Sequence, residues 1–200
     1  ATYMVFAMAE MDREKSGMGT TISAALLVRE SLVIGQVGDS RIYRLRGGQA
    51  EQLTEDHTLV QLQMKAGLIT AEQARSSPRG NVITRAVGPR DYVQVDTFVV
   101  PVQEGDRYLL CSDGLHGYLE GEAELGQILV QEDGEEVPKR LIGLANARGG
   151  KDNITSVVLR VPGDAADPSA VDVIEKMDIL RRIPLFRHLN YKELVKVLNQ

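Results

Sequence analysis

Two aspartates carry the clearest chemical signal in this sequence. Asp113 follows the apolar run of residues 108–111 and is paired with Gly114, and Asp152 stands with Asn153 just before a second β-favouring run. Hard divalent cations bind several oxygen ligands from separate chain segments. Because helices between the two runs can return the chain, we expect both carboxylates to meet at one edge of a sheet. On spacing alone, turn capping by each aspartate stays open, since Asp-Gly and Asp-Asn pairs are common turn formers.

The segments before Asp113 predict how the chain reaches that edge. A helix is expected over residues 1 to about 14, and a helical insertion over 56–88, opened by Thr54, with a capping box at Thr70 and Gln73. Short β-favouring runs separated by turn residues predict an antiparallel meander over residues 20–28, 32–37, 41–45 and 49–53, and a later strand over 93–99.

The segments after Asp113 predict two helices and a final strand. Helical periodicity covers residues 122–130 and 137–147, and the last strand is expected over 153–161. This order predicts an α+β sheet sandwich rather than a doubly wound sheet. The Pro-containing stretch 162–170 predicts a linker between a domain of residues 1–161 and short amphipathic helices over 171–200.

Composition narrows the classes of partner. The net charge of -5 argues against a nucleic-acid-binding protein, which needs a concentrated basic face. No apolar run approaches the length of a bilayer span, and the first residues lack the pattern of a signal peptide, so we expect a cytoplasmic protein that does not bind membranes. A single cysteine, Cys111, excludes an intrachain disulfide and a thiolate metal cluster.

Four short motifs in order carry a family resemblance. They are GMGTT (17–21), VGDSR (37–41), CSDG (111–114) and GGKDNIT (149–155). Together they resemble the PPM-type (type 2C) metal-dependent serine/threonine protein phosphatases in their bacterial form, over residues 1–161. The resemblance implies an antiparallel β-sandwich flanked by helices (α-β-β-α) and a binuclear Mn²⁺ or Mg²⁺ centre. It makes Asp113 and Asp152 metal ligands, with Gly114 and Asn153 beside them.

The same resemblance implies an activity and a class of partner. The family hydrolyses phosphoserine and phosphothreonine in proteins by a single displacement with a metal-activated water. The partners would then be phosphorylated proteins, the substrates of serine/threonine kinases.

Two departures from the family pattern lead to further expectations. The family's front segment, with a phosphate-holding basic residue and an Asp-Gly whose aspartate bridges both metals, has no match here. We therefore expect an N-terminally truncated domain with an incomplete metal site and little activity of its own; a non-catalytic pseudophosphatase or scaffolding module is the alternative. The aspartate expected before GMGTT as a third-metal ligand is also absent, since residues 15–17 read KSG.

Several single residues allow two interpretations. His57, in an Asp-His pair like one that faces the family's cleft, is a candidate for substrate contact or proton donation, against a hydrogen bond at a helix start. Asp39 is interpreted as a structural turn residue, with ligation as the alternative. Cys111 is expected to be a small buried hydrophobe, and His116 either a neighbour of the site or a surface residue. Arg79 and Arg85 either steer phosphate or are solvated.

The C-terminal tail shows a second resemblance. Residues 178–200 resemble the first helices of a cyclic-nucleotide-binding domain, and a generic amphipathic helical pair is the alternative. The phosphate-cradling part of such a domain would lie beyond Gln200. A cyclic nucleotide is therefore expected as a ligand only of a longer parent protein.

Overall fold

Two antiparallel sheets form the centre of the fold. The computed structural model describes residues 1–131 and 135–162. Its strands are β1 (Ile22–Val28), β2 (Ser31–Val37), β3 (Arg41–Arg46), β4 (Gln49–Gln52), β5 (Asp96–Pro101), β6 (Arg107–Cys111) and β7 (Ser156–Arg160). Its helices are α1 (Thr2–Met11), α2 (Leu59–Lys65), α3 (Ala71–Arg75), α4 (Asp113–His116), α5 (Glu122–Gln131) and α6 (Glu136–Ala147).

The strands divide into a three-stranded and a four-stranded sheet. The first has the order β1-β2-β5 and the second the order β4-β3-β6-β7, with antiparallel pairs throughout. The expectation of one continuous meander was wrong, because β2 pairs with β1 and β5 and makes no ladder with β3. The segment between β2 and β3 carries the chain from one sheet to the other. There Gly38 adopts φ +105, and a Cβ on it would stand 2.3 Å from the Thr21 side chain.

The two faces of the second sheet are buried against different partners. From β3 and β6, Ile42 and Tyr108 pack with Leu32 and Ile34 of β2, so this face meets the first sheet. The alternate residues of the same strands face the other way and pack among α4, α5 and α6, in a cluster that includes Tyr43, Leu45, Leu109, Cys111, Leu125, Leu129 and Leu141. The period-two alternation of side chains in a strand explains this division. The fold is thus α+β, with antiparallel sheets flanked by helices, as predicted.

Several predicted boundaries differ from the observed ones. The capping box at Thr70 and Gln73 is present, but α2 is capped by Thr58 instead of beginning near Thr54. Strand β5 runs from Asp96 to Pro101, later than predicted. In the last predicted strand, the first residues form a loop that carries Asp152 to the sheet edge. The linker beyond residue 162 and the helices of 171–200 lie outside the described residues.

A membrane-spanning helix is not found among the helices that could be described, none of which has the required length and apolar character.

Candidate metal centre

Ser112 ties the end of β6 to the loop that carries Asp152. The Ser112 amide donates to the Thr155 carbonyl over 3.2 Å, and the Thr155 amide donates back to Ser112 Oγ over 3.0 Å. Ser112 Oγ also donates to the Asn153 carbonyl over 3.2 Å. These bonds continue the β6–β7 ladder, whose last pair is Cys111 with Ser156. The segments that carry Asp113 and Asp152 therefore lie next to each other, at the end of β6 and the start of β7.

Gly114 makes the close approach of the two segments possible. A Cβ at this position would stand 2.3 Å from the Asn153 carbonyl oxygen and 3.4 Å from the Asp152 Cβ. Any side chain would therefore push the Asp152 loop away from the start of α4. Gly114 and Asn153, named from the sequence as neighbours of the metal site, thus contact one another.

Each aspartate uses one oxygen in a local turn. Asp113 Oδ1 accepts from the Gly114 amide over 2.9 Å, and Asp152 Oδ1 accepts from the Asn153 amide over 2.7 Å. Among the described ion pairs, neither carboxylate is joined to a basic side chain. Turn capping and ligation are thus compatible, because each carboxylate keeps a second oxygen for a cation.

Asp39 is a third carboxylate beside this pair. It is buried in the turn between β2 and β3, and burial raises the pKa of its carboxyl. The negative charge of Asp113 raises the same pKa further, which places the two carboxylates within electrostatic reach of one another. Asp39, interpreted from the sequence as a turn residue, lies in the turn between β2 and β3, and its carboxyl senses the charge of Asp113. The sequence signal for a role of Asp39 was the VGDSR motif, one of the four motifs that carry the family resemblance.

His116 fixes the backbone of Asp39 from the side of α4. Its Nε2 lies 2.9 Å from the Asp39 carbonyl oxygen, which can only accept, so Nε2 carries the proton. Desolvation, helped by the positive charge of Arg41, lowers the pKa of His116 to about 4. The neutral imidazole is therefore a neighbour of the site, the first of the two predicted possibilities.

His57 lies in the interior and not in a cleft. Its side chain is 5% exposed, Nδ1 lies 3.0 Å from the Gly38 amide, and Nε2 lies 2.9 Å from Asp96 Oδ2. Both ring nitrogens are thus engaged by the protein, which leaves neither for a leaving group. The arrangement gives no support to proton donation by His57, and the helix start that it was expected to bond belongs instead to Thr58.

The remaining candidates, Cys111, Arg85 and Arg79, have different surroundings. Cys111 is buried, and burial raises the pKa of its thiol to about 12, so the thiolate that a nucleophile requires does not form at neutral pH. Arg85 forms an ion pair with Asp96. Arg79 is exposed in the loop after α3.

An open cleft borders the Asp39 turn. Its volume is about 800 Å³, and it lies between residues 17–21 and 83–94, with Arg85, Arg90 and Tyr92 among its lining residues. Thr21 also lines it, and Thr21 Oγ lies 2.8 Å from Ser40 Oγ. Through Thr21, one wall of the cleft therefore contacts the turn that carries Asp39.

The donor set fits a hard cation in kind but is incomplete in number. Carboxylate oxygens are the ligands that Mn²⁺ and Mg²⁺ prefer. Within residues 1–131 and 135–162, however, no three His, Cys, Asp or Glu side chains converge closely enough to hold a metal ion. Further oxygen donors would have to complete the coordination around Asp39, Asp113 and Asp152.

The sequence and the fold of this chain are similar to those of known proteins. The serine/threonine phosphatase stp of Listeria innocua is 45% identical over 152 residues, which are 76% of this chain and 60% of the relative. The crystal structure of the Mycobacterium tuberculosis serine/threonine phosphatase PstP/Ppp has a TM-score of 0.76 at 38% identity, covering 80% of this chain and 68% of the other. The catalytic domain of PstP in complex with two manganese ions has a TM-score of 0.70 at 38% identity, covering 78% and 65%.

The chain thus spans less than two thirds of the length of the Listeria relative. A family model described as protein phosphatase 2C matches residues 1–154, which include all the motifs and all the carboxylates discussed above except the last residue of GGKDNIT. The chain belongs to the protein phosphatase 2C family.

Proposed function

We propose that this chain is a portion of a metal-dependent protein serine/threonine phosphatase, which hydrolyses phosphoserine and phosphothreonine in proteins. The observation that carries the proposal is that Ser112 and Thr155 tie together the segments of Asp113 and Asp152, with Asp39 within electrostatic reach of Asp113. The negative charges of Asp39 and Asp113 repel one another, and a divalent cation would relieve that repulsion. Membership of the protein phosphatase 2C family supports the same reaction.

The roles of the residues follow from their positions. Asp113 and Asp152 would hold the metal, with Ser112 and Gly114 setting their spacing, and Asp39 would contribute a further carboxylate. A bound Mn²⁺ or Mg²⁺ lowers the pKa of a water molecule and neutralises charge on the phosphoryl oxygens. Ser40 and Ser112 are committed to hydrogen bonds within the fold, so neither serves as a nucleophile in this proposal.

The substrates would be cytoplasmic proteins that serine/threonine kinases have phosphorylated. The cleft beside the Asp39 turn is open enough for an extended segment, and its arginines suit a phosphorylated chain. A cyclic nucleotide would act only on a longer parent, through the region of residues 178–200, which lies outside the described residues.

The chain alone should be a weak catalyst, because its described carboxylates do not complete a metal site. We propose that the residues missing relative to longer family members supply the other ligands. A non-catalytic pseudophosphatase remains the alternative, and the same incomplete cluster favours it.

The test compares the complete natural protein that carries this sequence with two variants. Mn²⁺-dependent phosphate release from a phosphothreonine peptide should fall more than about 100-fold in Asp152→Asn with an unchanged melting temperature. Glu104→Gln, at an exposed position in the turn between β5 and β6 and at the end of β6 opposite Asp113, should match the wild type. Absence of hydrolysis in the wild type would favour the pseudophosphatase, and near-normal turnover of Asp152→Asn at saturating Mn²⁺ would contradict the ligand assignment.

A further inference from the structure

His57 connects two segments that meet beside the metal centre. Its backbone amide donates to the Gly38 carbonyl over 2.9 Å, and its carbonyl accepts from the Thr84 amide over 2.8 Å. Its imidazole lies between the Gly38 amide and the Asp96 carboxylate. A buried residue with this many directed contacts does more than fill space, because each contact fixes the position of a partner.

The contacts of the ring determine its tautomer. A backbone amide can only donate, so His57 Nδ1 accepts from Gly38 and carries no proton. Nε2 then carries the proton and donates it to Asp96 Oδ2 over 2.9 Å. The carboxylate of Asp96 thereby keeps Nδ1 available as the acceptor for Gly38.

Asp96 is itself held as an anion. Burial alone would raise the pKa of Asp96, but the hydrogen bonds from His57 and Arg85 lower it by more, so the net shift is downward. Arg85 lines the cleft and forms an ion pair with the other Asp96 oxygen. A continuous series of contacts therefore leads from the cleft, through Asp96 and His57, to Gly38.

The turn that receives these contacts is the one that presents Asp39. Gly38 directly precedes Asp39. On the other side of the turn, both carboxylate oxygens of Asp56, the neighbour of His57, accept hydrogen bonds from Arg41 over 2.7 to 3.1 Å. Asp56 and His57 thus fasten the turn at both of its ends. Asp39 lies between these two attachment points, which limit the movement of its backbone.

We infer that His57 is a positioning residue, which sets the Asp39 carboxylate for cation binding by accepting the Gly38 amide hydrogen while Asp96 fixes its tautomer. The inference rests on the proposed function for the use of Asp39 as a ligand. The proton donation first considered for His57 is replaced by this role.

Two substitutions of His57 separate the acceptor from the rest of the ring. Asparagine places its side-chain oxygen where Nδ1 stands, so His57→Asn keeps an acceptor for Gly38 and loses Asp96. Glutamine places its amide nitrogen near the position of Nε2, so His57→Gln keeps a donor to Asp96 and loses the acceptor. Both variants lose the ring, which makes each the control for the other.

The experiment uses the complete natural protein that carries this sequence and needs no substrate. Hydrogen exchange of the Gly38 amide is measured by NMR without metal, and Mn²⁺ is then added to follow paramagnetic broadening of the Asp39 signals. In His57→Gln, the exchange rate of the Gly38 amide should rise at least about tenfold. About tenfold more Mn²⁺ should be needed for equal broadening, because removing a residue that orients a metal ligand typically lowers metal affinity by this much. His57→Asn should stay within about threefold of the wild type in both measurements.

Three outcomes would overturn the inference. The first is an unchanged exchange rate of the Gly38 amide in His57→Gln. The second is an equal effect of both variants, which would mean that the ring only contributes packing. The third is the absence of Mn²⁺ broadening at Asp39 in the wild type. If both variants fail to fold, the imidazole ¹⁵N shifts of the wild type decide, because a proton on Nδ1 at neutral pH contradicts the assignment. If these exchange and broadening results are obtained but the complete wild-type protein shows no phosphatase activity, only the proposed function is contradicted.

Discussion

Ser112 and Thr155 are hydrogen-bonded to each other in both directions, amide to carbonyl and amide to side-chain hydroxyl. This reciprocal pair extends the β6–β7 ladder by one step beyond Cys111 and Ser156. Because Ser112 directly precedes Asp113 and Thr155 follows Asp152 by three residues, the pair holds together the two segments that carry these aspartates. The hydroxyl of Ser112 is therefore a structural element of the candidate metal centre.

The first prediction concerns that hydroxyl. Ser112→Ala removes the bonds to Asn153 and Thr155, so the unfolding free energy should fall by about 1 kcal/mol and Mn²⁺ affinity about tenfold. Isothermal titration with Mn²⁺ and urea denaturation measure the two effects. Ser156→Ala is the matched control, since its buried hydroxyl has no hydrogen-bond partner in the structure. Equal Mn²⁺ affinity in both variants would contradict the role of Ser112.

The second prediction concerns the contact at Gly114. Gly114→Ala introduces a Cβ 2.3 Å from the Asn153 carbonyl oxygen, so the Asp152 loop must move. We expect a loss of about 1–3 kcal/mol in stability and at least a tenfold loss of Mn²⁺ affinity. In contrast, Gly143→Ala in α6 meets no atom within 4 Å and should stabilise the helix by about 0.5–1 kcal/mol. Unchanged metal binding in Gly114→Ala would show that the loop adapts freely.

The third prediction concerns pH and the buried carboxyl of Asp106. Burial would raise its pKa, but hydrogen bonds from Arg46, the Gln103 amide and the Tyr108 hydroxyl lower it by more. A lowered pKa in the folded state means that Asp106 stabilises the fold above its unfolded pKa of about 3.9, and that this contribution is lost as the pH falls through the lower, folded pKa.

Asp106→Asn should therefore cost about 3 kcal/mol at pH 7, and the difference from the wild type should shrink below about pH 4. Denaturation curves at several pH values measure this. Asp12→Asn, which breaks an exposed pair with Lys15, should show a much smaller effect at every pH. A difference between wild type and Asp106→Asn that does not change with pH would contradict the assignment of Asp106 as an anion.

The fourth prediction concerns Cys111. Burial raises the pKa of its thiol to about 12, and the charges of Asp56 and Asp113 act in the same direction. The thiol should react with a disulfide reagent at pH 8 only after unfolding, so labelling in buffer should be at least about 100-fold slower than in guanidinium chloride. Rapid labelling of the native chain would contradict the burial of this side chain.

The sequence by itself determined the elements and the principal pair of carboxylates. Apolar runs predicted β6 and β7, and the Asp-Gly and Asp-Asn pairs at their ends predicted where the carboxylates leave the sheet. Because antiparallel neighbours bring the end of one strand next to the start of the other, Asp113 and Asp152 had to meet once β6 and β7 paired. Local pattern was sufficient because both signals lie within a few residues of each aspartate.

Only the tertiary structure decided the division of the strands between two sheets and the surroundings of Asp39 and His57. A β-favouring run does not specify which neighbour it pairs with, so four consecutive strands looked like one meander. The contacts of Asp39 with α4, and of His57 with Gly38 and Asp96, join residues 19 to 77 positions apart. Such contacts depend on how the two sheets pack, and no periodicity or turn signal in the chain records that packing.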